Sequence, residues 1–74
     1  MILFTQHSLL KLKQRNIKRE FAIKTLKKPD YQKLSYGLRY IAYKKFKKLY
    51  LKVIFKKENK NIIVITQYWI KDIE

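Results

Sequence analysis

Four side chains in this sequence are the best candidates for chemistry: His7, Arg15, Arg39 and Lys52. RNA carries its own nucleophile, the 2′-hydroxyl. Its cleavage without a metal therefore needs a base for that proton, cations for the charge developing on phosphate, and an acid for the leaving oxygen. A histidine, lysine or tyrosine can act as base or acid near neutral pH, and Arg15, Arg39 and Lys52 can hold the phosphate. We therefore predict that these four residues are catalytic.

Each of the four also has a structural role that would explain its presence. His7 lies near the start of a predicted helix, where it can hydrogen-bond to the backbone. Arg15 closes the same helix, where the helix dipole favours a cation. Arg39 and Lys52 fall in predicted strands, and a cation in a strand commonly lies on the solvent face. Residue type alone leaves both interpretations open.

A second set of residues is suited to holding a nucleic acid. The densest basic cluster surrounds Phe46 and is the best match for a phosphate backbone, although a solvated turn has the same composition. Tyrosines near the cluster can stack on bases, but they also suit the packing of a sheet. The predicted nucleic-acid-binding residues are Lys11, Lys44, Lys45, Lys47, Lys48, Tyr43, Thr66 and Tyr68.

Several other kinds of chemistry lack the residues that they require. A two-metal nuclease needs clustered carboxylates, whereas the 5 Asp and Glu residues here are scattered or lie at the C-terminus. A single glycine cannot build a glycine-rich phosphate loop. With no cysteine and one histidine, cysteine-based and histidine-rich metal sites are excluded. We therefore expect no metal and no cofactor.

The charge of the chain indicates an anionic partner. Lys and Arg total 19 against 5 Asp and Glu, a formal net charge of +14. Such a field attracts polyanions, of which RNA is the first candidate and an acidic, neutralising protein the second. A membrane surface is a weaker candidate because the cations are spread over helices and strands instead of lining one amphipathic helix. A lysine-rich solvated surface without a function is the structural alternative.

Length and composition fit one small domain, residues 1–74. A hydrophobic content of 47% and an aromatic content of 15% argue against disorder despite the charge. No apolar run is longer than 62–65, which is far too short to cross a bilayer. Residues 1–4 lack the features of a signal peptide, and the absence of cysteine fits a reducing compartment. We therefore expect a cytoplasmic protein.

The front of the chain has the spacing of two helices. The first is predicted over 6–14, with Thr5 as its N-cap. The second is predicted over about 18–27, with Lys18 as a poor N-cap and Pro29 as its stop. Its buried stripe comprises Phe21, Ala22, Thr25 and Leu26.

After Pro29 the apolar period changes from helical to alternating. Residues 49–56 alternate as a half-buried strand, and the β-branched run within 61–68 favours a central strand. Shorter strands are predicted at 31–35 and 38–44, with turns at 36–37, 45–47 and 58–60, and residues 1–5 are a candidate edge strand. The predicted fold is α+β, with two N-terminal helices packed on one face of a three- to four-stranded antiparallel sheet.

From about residue 4 to 68 the chain resembles a small bacterial and archaeal family, the domain of unknown function numbered 4258. The matching residues, in order, are Phe4-Thr5-Gln6-His7-Ser8, Lys11, Arg15, Ile17, Pro29, the strand around 40–44, and the segments 51–54 and 63–66. The family usually has an arginine where this chain has Lys11. The family's second helix usually starts with a hydroxyl N-cap followed by acidic residues. In this chain residues 18–20 occupy these positions, and the second helix is therefore more basic.

That family is similar in layout to the RelE-like and BrnT-like toxins of toxin–antitoxin pairs, which are small basic ribonucleases with helices followed by an antiparallel sheet. By analogy at the level of the fold, the resemblance implies a ribonuclease toxin held inactive by an acidic antitoxin protein. Two hypotheses from other classes remain open. One is a non-catalytic module that binds RNA or DNA, and the other is a basic protein that docks an acidic protein partner.

Overall fold

The computed structural model describes residues 1–73. The elements, in chain order, are β1 (Ile2–Phe4), α1 (Gln6–Gln14), α2 (Arg19–Lys27), β2 (Tyr31–Leu34), a 3-10 turn (Tyr36–Leu38), β3 (Tyr40–Phe46), β4 (Leu49–Glu58) and β5 (Asn61–Ile70). The five strands form one sheet in the order β1-β5-β4-β3-β2, against which the two helices pack. The prediction of an α+β fold is confirmed. Across residues 1–73, none of the helices has the length and apolar character needed to cross a membrane.

The sheet has one strand more than the three to four predicted, and it is mixed instead of antiparallel. β1 pairs with β5 in parallel, with Ile2 opposite Ile62 and Phe4 opposite Val64, while the other neighbours are antiparallel. Three residues are too few to show an alternating pattern, and their partner lies near the other end of the chain. Residues 1–5 could therefore be predicted only as a candidate edge, and β1 confirms that edge strand.

Both helices lie close to where they were predicted. α1 has the predicted bounds, and the Thr5 hydroxyl oxygen accepts a hydrogen bond from the Ser8 amide at 3.0 Å, as expected of its N-cap. The same hydroxyl donates to the carbonyl of Ile65 at 3.4 Å and so ties the start of α1 to β5. α2 follows Lys18, whose side chain makes no capping hydrogen bond.

The four strands after Pro29 lie where they were predicted, but each differs from its predicted bounds by one or two residues, and β3 and β5 differ with consequences for the side chains near them. β3 begins at Tyr40 instead of residue 38, because Leu38 has a φ of 61° and belongs to the 3-10 turn. The following turn accordingly lies at 47–48 instead of 45–47, with a φ of 61° at Lys47. β5 continues to Ile70, so Trp69 lies inside the strand and pairs with Leu51 instead of following the strand.

The core lies between the helices and one face of the sheet, which we call the helix-covered face. Its buried residues are Leu12, Ile17 and Ala22 from the helical half and Ala42, Leu51, Val53, Phe55 and Val64 from the strands. Side chains alternate along a strand, so the residues between these sheet positions point to the opposite side. We call that side the open face, because both helices of residues 1–73 pack on the other one.

Candidate nucleic-acid interface

The open face carries a row of side chains in register across four strands. Tyr31 of β2 pairs with Tyr43 of β3, Tyr43 with Lys52 of β4, and Lys52 with Tyr68 of β5. We call these four residues the cross-strand row. Because neighbouring strands lie about 4.8 Å apart, the row spans about 14 Å of the sheet. Three of its members were predicted site residues, and Tyr31 was not among them.

A β-bulge in β5 decides which residues join this row. Phe55 pairs with Val64 but Ile54 pairs with Thr66, so Ile65 is one residue too many on β5. Such an extra residue reverses the alternation of the strand beyond it. Thr66 and Tyr68 consequently lie on the open face, and Gln67 points into the core.

Lys52 is the unusual member of the row because it is a buried lysine. It is 8% exposed, and lysine is among the residues most rarely found in this state. Its ammonium nitrogen lies 5.3 Å from the ring centre of Tyr68 and 6.0 Å from that of Tyr43. Ring faces attract a cation at these distances. The low local dielectric also strengthens the attraction of Lys52 for any anion that reaches it.

Arg15 reaches the end of the row from α1, of which it is the C-cap. β1 ends at Phe4, opposite Val64, so the second half of β5 has an open edge that Arg15 can bind. Its Nη1 donates to Thr66 Oγ1 at 3.1 Å and to the carbonyl of Gln67 at 2.8 Å. Its guanidinium carbon lies 5.4 Å from the ring centre of Tyr68. Tyr68 is therefore flanked by two cations, Arg15 and Lys52.

A buried polar pair fixes α1, and with it Arg15, against β5. Ser8 Oγ donates to Gln67 Oε1 at 2.6 Å, and Gln67 Nε2 donates to the Ser8 carbonyl at 3.0 Å. Both residues are fully buried, and each satisfies the polar atoms of the other, as buried groups must. Neither role was predicted. The sequence feature that could have indicated the pair is Gln67 itself, a polar residue directly after a β-branched run in a strand expected to be central.

Tyr43, in the middle of the row, is fully buried, and its hydroxyl has no hydrogen-bond partner within residues 1–73. Its ring centre lies 5.8 Å from that of Tyr31, 5.9 Å from the Lys33 ammonium and 6.0 Å from that of Lys52. A buried hydroxyl without a partner destabilises a fold by about 1–3 kcal/mol. Packing alone would be served as well by phenylalanine.

The other two predicted catalytic residues lie away from Arg15 and Lys52. His7 is exposed in the first turn of α1, and eight residues of helix place it about 12 Å along the axis from Arg15. Arg39 is exposed immediately before β3 and lines a cavity at the open face together with Ile41 and Ile54. The structure therefore brings together Arg15, Lys52, Thr66, Tyr68 and Tyr43, with Arg39 on the same side of the sheet.

The lysines predicted to bind nucleic acid are divided between several surfaces. Lys45 lies on the open face, with its ammonium 5.7 Å from the ring centre of Tyr50. Lys44 points to the other side, where it donates to the carbonyl of Lys28 at 3.0 Å and holds the connection after α2. Lys11 lies on α1 and donates to Gln14 Oε1 at 3.0 Å. Lys47 and Lys48 are exposed in the β3–β4 turn.

The β3–β4 turn borders an apolar cavity of about 560 Å³ on the helix-covered side. The residues that line it are Phe21, Phe46, Lys47, Lys48, Leu49 and Trp69. Phe21 and Phe46 stack with ring centres 4.8 Å apart, and Trp69 stands edge-on to both, at 6.2 and 6.0 Å. This cavity is separated from the cross-strand row by the thickness of the sheet.

Over residues 1–73, no group of three or more His, Cys, Asp and Glu side chains is arranged to hold a metal ion. Around Tyr68, the open face offers the cations Arg15 and Lys52, the tyrosine rings and the Thr66 hydroxyl. Comparisons with protein-family models, with curated proteins and with solved structures found no match for this chain.

Proposed function

We propose that this protein is a metal-independent ribonuclease toxin of a toxin–antitoxin pair, which cleaves RNA on the open face of its sheet. The observation that supports this most strongly is the position of Tyr68, flanked by Arg15 and the buried Lys52. Two cations around one phenol make an anion site with a proton carrier at its centre, and RNA cleavage without a metal requires both of these features. The resemblance to the toxin families supports the same proposal.

In the proposed reaction, Arg15 and Lys52 bind the non-bridging oxygens of the scissile phosphate and stabilise the charge that develops there. A base takes the proton of the 2′-hydroxyl as its oxygen bonds to phosphorus. The bond from phosphorus to the 5′-oxygen breaks, and an acid protonates that oxygen. The products are a 2′,3′-cyclic phosphate and a 5′-hydroxyl. The Tyr68 oxygen is the group here that can accept the proton of the 2′-hydroxyl, and the Lys52 ammonium is the group that can supply one to the 5′-oxygen, while His7 is assigned no role.

The net charge of the protein supports RNA as the substrate, because it raises the rate at which RNA and protein meet. A charge of +14 steers a polyanion toward the protein from a distance, and this attraction weakens as salt is added. The burial of Lys52 then distinguishes the site from the many lysines that are exposed on the surface. An exposed lysine holds phosphate weakly and without direction, whereas Lys52 is oriented by two flanking rings.

The test is an RNA-cleavage assay in EDTA that compares the wild type with Arg15→Ala, Tyr68→Phe and His7→Ala. Removing one charge-stabilising donor typically slows such a step by about 10²- to 10³-fold, and removing a general acid or base by about 10²- to 10⁴-fold. We expect losses of this size for Arg15→Ala and Tyr68→Phe, and near wild-type rates for His7→Ala and for the exposed cation control Lys13→Ala.

Arg15→Lys separates the charge of Arg15 from its geometry, because lysine keeps the charge but lacks the rigid planar fork of N–H donors. Circular dichroism and thermal unfolding establish which variants are folded. Absence of cleavage by a folded wild type would contradict the enzyme proposal. If salt-sensitive RNA binding remained in that case, the protein would be a non-catalytic binding module. Loss of cleavage in His7→Ala alone would move the site to the exposed side of α1.

We propose the helix-covered side as the docking site of the acidic antitoxin, because the cavity beside the β3–β4 turn combines aromatic walls with Lys47 and Lys48. The occupant that fits is an acidic protein segment carrying one leucine or phenylalanine anchor, since the anchor fills the cavity and carboxylates face the lysines. The fluorescence of Trp69, the one tryptophan of the chain, reports occupancy directly.

An acidic peptide with a phenylalanine anchor is expected to shift that fluorescence, and the same peptide with alanine in its place is expected to bind at least about 10-fold more weakly. Reversing charge with Lys47→Glu and Lys48→Glu should weaken binding more than Lys60→Glu in the β4–β5 turn. Equal binding of the two peptides would show that only net charge is recognised and would contradict a docking site at this cavity.

A further inference from the structure

A second cavity, of about 330 Å³, opens on the open face beside the cross-strand row. Its lining residues are Ser35, Tyr36, Gly37, Arg39, Ile41 and Ile54. Ile41 and Ile54 are cross-strand partners and form an apolar floor, while the 3-10 turn and Arg39 form a wall. We infer that this cavity is a nucleobase subsite that prefers guanine, an inference that rests on the RNA-binding function proposed above.

The cavity adjoins the proposed phosphate site directly. Ile54 follows Lys52 by two residues on the same face of β4, a separation of about 6.8 Å. Across the sheet Ile54 pairs with Thr66, whose hydroxyl accepts the hydrogen bond from Arg15. A phosphate held by Arg15 and Lys52 would thus place the base of an adjoining nucleotide, joined to it through one ribose, over Ile41 and Ile54.

The lining suits a base better than it suits a second phosphate. An apolar floor offers nothing to an anion but matches the π face of a base. Tyr36 is 93% exposed at the rim of the cavity, and unstacked RNA bases are characteristically bound on such aromatic rings. The Ser35 hydroxyl adds one group that can donate or accept a hydrogen bond.

Arg39 provides the selectivity for guanine. Its planar guanidinium carries parallel N–H donors that match the O6 and N7 acceptors on one edge of guanine, whereas cytosine and uracil lack this pair and adenine offers a donor in place of O6. The side chain is exposed and enters no hydrogen bond or ion pair with other residues in 1–73. It is therefore available to a ligand.

The 3-10 turn is held by backbone hydrogen bonds, so the side chains of Ser35, Tyr36 and Arg39 are not needed to form it. The Ser35 amide donates to the Arg39 carbonyl at 2.6 Å, and the Arg39 amide donates to the Tyr36 carbonyl at 3.3 Å. Gly37 and Leu38 lie next to each other in the left-handed region, with φ of 64° and 61°. For Leu38 this conformation is destabilising by about 1–2 kcal/mol, and such strain is often kept where a loop must present side chains to a ligand.

The experiment measures the affinity of four short single-stranded RNAs that differ only in one central base. Each carries a 2′-O-methyl group at that nucleotide and at its neighbours, so that none can be cleaved. The wild type is expected to bind the guanine RNA about 10-fold more tightly than the cytosine and uracil RNAs, within the range of one bidentate contact. Arg39→Lys should reduce this preference to less than about threefold.

Tyr36→Ala should weaken binding of all four RNAs by about fivefold or more, because stacking is tolerant of sequence. Tyr36→Phe keeps the ring and should bind like the wild type, as should the exposed control Lys60→Ala. Equal affinity for the four bases, or a guanine preference that survives Arg39→Lys, would overturn the base subsite. If the four RNAs bound equally and Lys52→Met weakened the binding of all four, the proposed phosphate site would be retained without the base subsite. A folded wild type that bound none of the RNAs would overturn both.

Discussion

The helix-covered face and the open face of the sheet both bury side chains, but they do so with different residue types. On the first, Leu51 and Val53 of β4 are fully buried beneath the helices. On the second, Lys52 between them is 8% exposed, and it is enclosed by tyrosine rings. Neighbouring residues of one strand thus enter two environments, one made of hydrocarbon and one made of phenols and cations.

The difference is what the proposed phosphate site requires of the open face. Removing leucine and valine from water stabilises a fold by roughly 1.5–3 kcal/mol per side chain, whereas burying an ammonium group is unfavourable unless it is compensated. On the open face the rings of Tyr43 and Tyr68 supply part of that compensation for Lys52. Holding a cation at low dielectric is useful where an anion must be bound firmly.

The largest effect that this contrast predicts is on stability, at Leu51. Leu51→Ala removes a fully buried core side chain and should lower the free energy of unfolding by about 2–5 kcal/mol, as measured by urea denaturation. Under conditions where the variant is still folded, the rate of RNA cleavage should stay near that of the wild type. A large loss of cleavage in a folded Leu51→Ala protein would mean that the two faces are not separate in function.

The reverse result is expected at the adjacent residue. Lys52→Met keeps the length of the side chain and removes its charge, so cleavage should fall by about 10²- to 10³-fold. Stability should fall by less than for Leu51→Ala, because methionine keeps the packing of the side-chain stem and loses the attraction of the ammonium to the rings of Tyr43 and Tyr68. Lys13→Met, at an exposed position of α1, is the matched control and should alter neither quantity. A loss of stability without loss of cleavage would make Lys52 a structural residue.

A smaller effect on stability is expected at the polar pair beneath α1. Ser8→Ala leaves Gln67 Oε1 buried without its donor at 2.6 Å, which should lower the free energy of unfolding by about 1–3 kcal/mol. Because this pair positions the helix that carries Arg15, cleavage should fall modestly, by less than for Arg15→Ala. A neutral Ser8→Ala would show that the pair does not fix α1. Lys13→Ala serves as the control on the exposed side of the helix.

The smallest predicted effect has the opposite sign. Tyr43→Phe removes a buried hydroxyl that has no partner among residues 1–73, so the free energy of unfolding should rise by about 1 kcal/mol. A lower stability would indicate that the hydroxyl makes an interaction in solution. Thermal unfolding of the two proteins side by side is sufficient to decide.

Much of the fold could be predicted because its signals are local. Thr5 and Pro29 mark helix limits, and the alternation in 49–56 marks the strand that became β4. β1 could be anticipated only as a candidate, since its partner lies at the far end of the chain. The shift of β3 depended on a left-handed Leu38, a conformation that residue type does not favour.

The sequence allowed several residues of the candidate site to be predicted, but not how they are arranged in space. Tyr43, Lys52 and Tyr68 were singled out separately, but their alignment depends on the register of three strands and on the bulge at Ile65. Likewise, Arg15 reaches β5 only because β1 stops at Phe4. His7 belongs to the same sequence motif as Arg15, but the length of α1 keeps the two apart.

RNA binding to the open face is the claim on which the proposed function depends, and an NMR titration of backbone amides with a short 2′-O-methyl RNA that cannot be cleaved tests it residue by residue. We predict that the amides of Tyr43, Lys52, Ile54 and Tyr68 shift, while those of α2 and of the β3–β4 turn remain in place. Shifts confined to α2 and that turn would place the RNA on the helix-covered side and contradict the claim.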